Sequence, residues 1–125
     1  MDIVKYNKAL RKCIQDCLNC MTKIARTESR EDISDFCTEC VQMCEITLKA
    51  LAQKSRFIGR YMELCADICD WCAMQCEKLP YGECQTCAMS CRDCALTLRK
   101  EIKGRSNKKE MQVPYGDSNL GTLWY

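Results

Sequence analysis

With 125 residues the chain can form one domain with a modest core, and a net charge of +2 argues against nucleic acid or an acidic membrane surface as partner. It contains no apolar run of about 18 residues and no charged-then-apolar leader, so neither a membrane span nor a signal peptide is expected. Cysteine supplies 14 residues while Leu, Ile, Val and Phe together supply only 23, so thiols must fill much of the interior in place of aliphatic side chains.

The first periodic stretch predicts a helix from about Ile3 to Arg26, with Ile3, Tyr6, Leu10, Cys13, Cys17, Cys20 and Ile24 on its inner stripe. Residues 27–30 form a break, after which Ser29 and Asp32 read as a cap and an acidic first turn. The second helix carries Ile33, Cys37, Cys40, Cys44 and Leu51 inward and ends at Lys54-Ser55. Ser55 is the expected cap of a third helix that holds Cys65, Cys69, Cys72 and Cys76, with Gly59 as its weak point. Pro80 suits the first turn of a fourth helix, which carries Cys84, Cys87, Cys91 and Cys94. Gly104, following Arg99, Lys100 and Lys103, reads as its stop. The domain boundary is therefore placed at 1–104, with 105–125 a linker and tail. In that tail Tyr115, Leu120, Leu123 and Trp124 either dock on the bundle or a neighbouring subunit, or belong to a mobile terminus.

The cysteines alternate at spacings of three and four, which keeps every thiol on one helical seam, the a/d face turned toward a partner. Short connections make neighbouring helices antiparallel, so the numbers of facing residues should sum to a constant. They do for Cys20/Cys37, Cys17/Cys40 and Cys13/Cys44. They do again for Cys44/Cys65, Cys40/Cys69 and Cys37/Cys72, and within one for the third and fourth helices. The expected layers are Cys13-Cys44-Cys65-Cys94, Cys17-Cys40-Cys69-Cys91 and Cys20-Cys37-Cys72-Cys87, then a mixed layer Ile24-Ile33-Cys76-Cys84. At the opposite end lie Leu10-Thr47-Met62-Leu98 and Tyr6-Leu51-Ile58-Ile102. Three independent loops agree on one register, which predicts an all-α, antiparallel up-down-up-down four-helix bundle with a cysteine-lined core.

Three chemistries compete for such a core. Disulfides within one helix fail on geometry: positions i,i+3 and i,i+4 have Cβ atoms about 5–6 Å apart, against about 3.5–4.5 Å for a disulfide. Cross-helix bridges in a structural or stress-response bundle stay open. Zinc or iron–sulfur is suggested by the C-x2-C pairs 17/20, 37/40, 69/72, 84/87 and 91/94. Those sites normally sit on knuckles and loops, and the ferredoxin run needs a Pro where Glu77 follows Cys76. Cu(I) is soft, prefers thiolates and accepts low coordination numbers. With metal–sulfur bonds near 2.3 Å, two thiolates across one ion sit about 4.5 Å apart, within reach of in-helix pairs. One monovalent ion per thiolate also cancels the charge, as a dry interior requires.

The runs C-x3-C-x2-C, C-x2-C-x3-C, C-x3-C-x2-C-x3-C and C-x2-C-x3-C-x2-C on successive helices resemble the bacterial copper storage proteins over about residues 3–103. The resemblance implies a bundle that stores many Cu(I) ions on Cys13, Cys17, Cys20, Cys37, Cys40, Cys44, Cys65, Cys69, Cys72, Cys76, Cys84, Cys87, Cys91 and Cys94. Members exist in exported and cytosolic forms and some are tetramers, so a homo-oligomer and a copper donor or chaperone are implied partners. Members often place His or Met at the mouth, whereas this chain has no His. The expected location is cytoplasmic, a removed export signal being left open. No nucleophile–base pair, phosphate loop or paired-carboxylate site stands out, so no enzyme is expected. Met62 reads as core filler with a thioether ligand as the alternative; Met74 and Met89 read as outward, and Met21 and Met43 as flanking the seam. Because two apolar layers plug one end, copper is expected to arrive at the other, where Cys76 and Cys84 would face each other either as acceptors or simply as the last storage ligands.

Overall fold

The computed structural model describes residues 1–27 and 35–107, which form α1 (Ile3–Thr27), α2 (Asp35–Ala52), α3 (Ile58–Cys76) and α4 (Gly82–Asn107). At 1.5 Å per residue these are roughly 27–39 Å long. Each helix packs on two neighbours, α1 on α2 and α4, and α3 on α2 and α4, which closes a four-membered ring around one core. The up-down-up-down bundle expected from the cysteine register is thus the observed architecture.

Local chemistry sets the helix ends, in places differently from the sequence reading. At the end of α2, Lys54 takes φ 53°, and the amides of Ser55 and Lys54 donate to the carbonyls of Ala50 (3.0 Å) and Leu51 (3.2 Å). This is the paired bonding of a Schellman stop, made here without the usual glycine. Ser55 does not cap α3 directly. Its Oγ accepts from the amide of Phe57 at 3.1 Å, shaping a turn after which Phe57 itself is the cap, with no side-chain hydrogen bond of its own. Pro80 lies before α4 rather than in its first turn. The Tyr81 carbonyl accepts from the amides of Cys84 and Gln85, both at 3.0 Å, so Tyr81 is the cap. Gln85 reaches back to the Leu79 carbonyl at 2.7 Å and ties the α3–α4 connection down. Gly104 does not stop α4, which continues to Asn107. A helical glycine costs only about 1 kcal/mol, and the Glu101–Arg105 ion pair at i,i+4 spans the position (2.9 Å). The expected Ser29 and Asp32 cap, the inward Ile33 and the docking residues of the 105–125 tail lie outside the described residues.

The core runs the length of the bundle. At one end Leu10, Thr47, Met62 and Leu98 are fully buried, and Tyr6, Leu51 and Ile58 close the layer beyond, as the register required. Met62 is wholly enclosed in this apolar plug, while Met74 and Met89 face outward. Alanines 66 and 73 on α3 and 88 and 95 on α4 are buried beside the thiol seam. Each directly follows a seam cysteine (Cys65, Cys72, Cys87 and Cys94), so small side chains flank the seam on both helices. Salt bridges of Arg99 to Asp67 (2.9 Å) and Arg92 to Glu77 (2.6 Å) cross the α3–α4 contact outside; exposed pairs of this kind are worth about 0–1 kcal/mol.

A polar clasp seals the plugged end. Tyr6 donates its hydroxyl to Glu101 at 2.9 Å, the carboxylate that also pairs with Arg105. Burial first, then the hydrogen bond to Glu101, pushes the Tyr6 phenol up to about 12. The neutral phenol is therefore the form the fold favours. Its contribution is complete below about pH 10 and declines as pH rises toward 12. Tyr6→Phe should accordingly lower the urea midpoint of the apoprotein at pH 8, and the gap from wild type should narrow between pH 10 and 12. A gap that stays constant across that window would show that the phenol is not titrating with the fold.

Candidate metal centre

All fourteen cysteines are free thiols enclosed in the bundle, none more than 1 % exposed. Each of the four helices contributes a seam of them because the three-and-four spacing follows the helical period. Four groups bring four sulfurs within 4.8 Å of one another: Cys13-Cys40-Cys44-Cys69, Cys13-Cys17-Cys40-Cys91, Cys17-Cys37-Cys72-Cys87 and Cys20-Cys37-Cys76-Cys87. Successive groups share members, first Cys13 and Cys40, then Cys17, then Cys37 and Cys87. The result is a continuous column. Cys65 stands at the plugged end, 3.8 Å from Cys44, with Cys94 beside it. Cys84 stands at the other end against Cys20.

The column is staggered where flat layers were expected. The α2–α3 register holds: Cys44–Cys65 is 3.8 Å, Cys40–Cys69 3.7 Å and Cys37–Cys72 3.9 Å. Helix α1 sits between the layers of its neighbours. Cys13 lies 3.8 Å from Cys40, 3.9 Å from Cys69 and 3.6 Å from Cys91, all members of the layer expected for Cys17. Cys17 in turn lies 3.4 Å from Cys87. Knob-into-hole packing produces this offset, because a seam residue seats between partner residues rather than opposite one. A numerical register sees facing positions only to the nearest residue. The stagger also changes the open end: Cys84 pairs with Cys20 at 2.7 Å, while Cys76 contacts Cys87 (3.6 Å), Cys37 (3.8 Å) and Cys20 (3.9 Å). The expected facing of Cys76 and Cys84 is therefore replaced by that of Cys20 and Cys84, with Cys76 one step farther along the column.

The close sulfurs are mostly on different helices; in-helix neighbours such as Cys72–Cys76 (4.0 Å) and Cys87–Cys91 (3.9 Å) are at the long end. This revises the picture of ions held by pairs within one helix. With metal–sulfur bonds near 2.3 Å, sulfurs around a three-coordinate ion stand about 4.0 Å apart and around a tetrahedral one about 3.8 Å. The observed 3.4–4.0 Å of the other contacts suits ions in threefold or fourfold thiolate settings with sulfurs shared between them.

Charge separates the metals that geometry leaves together. The four groups contain eleven different sulfurs, and four divalent ions would bring eight positive charges against eleven thiolates. Among the described residues no Lys or Arg is buried; the only buried polar side chains are Thr47 and Ser90. Both are already committed, Thr47 donating to the Met43 carbonyl at 2.8 Å and Ser90 to Asp16. A monovalent ion for each thiolate leaves the column neutral. Within the apo column the thiols oppose one another. Hydrogen bonds from Cys13 and Cys17 pull Cys40 down, whereas the bond with Cys13, helped by burial, pushes Cys17 up. Burial likewise pushes Cys84 up, against the S–H it accepts from Cys20.

The comparisons agree with this geometry. The sequence model described as "Copper storage protein" matches residues 2–103. The chain belongs to the copper storage protein family. Among curated proteins it is similar to the uncharacterized cysteine-rich protein YhjQ of Bacillus subtilis (strain 168), 34 % identical over 90 residues, which span 70 % of this chain and 83 % of YhjQ. Among solved structures it is similar to the Cu(I)-bound copper storage protein BsCsp3, with a TM-score of 0.72 and 30 % identity over 77 % of this chain and 93 % of that one. It also matches apo-Csp3 from Bacillus subtilis, with a TM-score of 0.73 and 30 % identity over 78 % and 96 %. In this copper storage family member no described helix is long and apolar enough to cross a membrane.

Position differs along the column: Cys20 and Cys84 stand at the end away from the plug, Cys65 and Cys94 against it, and Cys13 and Cys40 between, shared by two groups. Limited alkylation of the reduced apoprotein with iodoacetamide, followed by peptide mapping, should therefore label Cys84, at the end of the column, before Cys13 and Cys40 in its middle. Uniform labelling would mean that the bundle reacts by opening as a whole.

Proposed function

We propose that this chain stores Cu(I), holding it as a neutral copper–thiolate column in which all fourteen cysteines serve as ligands. The observation that carries the reading is the unbroken series of thiol groups sharing members, enclosed with no buried cation among the described residues. A soft monovalent ion is the species that such a donor set binds and whose charge it balances. Cys13, Cys17, Cys37, Cys40 and Cys87, each shared by two groups, act as bridges. Cys65 and Cys94 end the column against the apolar plug, and Cys20 with Cys84 receives copper at the other end. Thiolates exchange copper by direct ligand substitution, so a donor, whether a small-molecule thiol complex or a copper chaperone, delivers there. The role is binding, not catalysis, and its setting is the reducing cytoplasm, where thiols persist.

Anaerobic titration with Cu(I) against a competing chelator tests the reading. Binding should continue to about 14 ions per chain, one for each thiolate, with one proton leaving per ion and weaker uptake at low pH. Saturation at about four ions, or equal or greater capacity for Zn(II), would favour discrete tetrahedral sites instead. Because the ions bind only the folded bundle, loading should also raise the melting temperature well above that of the apoprotein. Coincident melting curves would contradict storage in the core.

A further inference from the structure

The closest thiols in this protein are not at the centre of the column. Cys20 Sγ and Cys84 Sγ stand 2.7 Å apart, whereas the next pair, Cys17 and Cys87, is separated by 3.4 Å and the remaining contacts by 3.6 Å or more. Cys20 belongs to α1 and Cys84 to the first turn of α4, so the pair joins two helices and escapes the spacing that forbids disulfides within one helix. The same two sulfurs stand at the end of the column away from the apolar plug. Close approach and a place at the end of the column coincide at this pair.

We infer that Cys20–Cys84 is a redox-modification site, oxidised by a hydroperoxide to a cross-helix disulfide that closes the open end of the thiol column. The closure of copper loading rests on the Cu(I) reading above; the linkage itself does not. In the first step one thiol of the pair, Cys84 in the first turn of α4, takes one oxygen from hydrogen peroxide, giving a sulfenic acid and water. In the second the Cys20 sulfur displaces that oxygen, forming the S–S bond and releasing a second water. Two thiols and one peroxide thus become one disulfide and two waters, the sulfurs losing the two electrons that the peroxide gains. The sulfurs need to approach by well under 1 Å to reach the bonded distance of about 2.05 Å.

The linkage has two consequences. It staples α1 to the start of α4 at the end where an ion must pass, and it removes Cys20 from the Cys20-Cys37-Cys76-Cys87 group. The innermost thiols are left intact but are cut off from delivery. A small-molecule thiol reverses the bond by exchange. Copper already bound at Cys20 and Cys84 opposes it, since a ligated sulfur is not free to attack.

The test uses the full reduced chain treated with one equivalent of hydrogen peroxide and mapped by tandem mass spectrometry of non-reduced peptides. Cys20–Cys84 should be the first linkage to form, and prior loading with Cu(I) should suppress it. Oxidised protein should take copper from a Cu(I)–chelator complex several-fold more slowly than untreated protein, with recovery after dithiothreitol. Cys20→Ser and Cys84→Ser, each compared with its own untreated rate, should lose this peroxide sensitivity. Linkages at other pairs first, or an unchanged rate in the linked protein, would overturn the inference. An untreated chain that fails to load copper would instead count against the storage reading and its closure, while the mapped linkage would still decide the oxidation site.

Discussion

The constraint on which this structure depends is the electrostatic cost of a dry core made of ionisable groups. Fourteen thiols occupy seams that a common bundle gives to leucine and isoleucine. As neutral thiols they behave as small hydrophobes and the bundle can close around them. As bare thiolates they would be a column of like charge in a medium that does not tolerate it. A soft monovalent ion on each sulfur satisfies both demands, because it replaces the proton one for one and leaves the interior neutral. The arrangement of everything else, from the shared groups to the absence of buried basic side chains among the described residues, follows from that exchange.

The fold separates stability from binding along its axis. The plugged end carries the larger side chains Leu10, Met62, Leu98, Tyr6, Leu51 and Ile58, and a phenol–carboxylate–guanidinium clasp closes it. Burying one aliphatic side chain is worth about 1.5–3 kcal/mol, so this end can hold the helices together before any metal arrives. The thiol column beyond it contributes less packing volume but needs a fixed spacing, which the plug and the buried alanines beside the seam help to set. Thr47 and Ser90, the polar side chains buried among the described residues, are satisfied by protein partners and are not free to bind a metal.

Much of this was legible in the sequence because cysteine reports its own position. A residue type that recurs at three and four on four helices fixes the seam of each and the register between them, and the α2–α3 register inferred from numbering reproduces the observed sulfur contacts. The half-layer offset of α1 was not legible: facing numbers place residues opposite one another, whereas knobs seat between partner residues. That offset decides whether Cys84 meets Cys76 or Cys20. The helix ends were misread for a related reason. Ser55 and Pro80 are strong local signals, but backbone bonds to Phe57 and Tyr81 determine where α3 and α4 begin. The buried Phe36, which packs edge-on against Trp71 at 6.3 Å, left no periodic trace because it lies beside the cysteine stripe rather than on it.

The claim that a single exchange, one copper for one proton at each sulfur, governs the whole column is open to direct measurement by native mass spectrometry of the anaerobically loaded protein. The mass of each loaded species reports both the number of ions and the number of protons they displaced. The account predicts a series in which every copper replaces one proton, up to about 14 of each. A series that ends near four ions, or in which each ion displaces two or more protons, would contradict it.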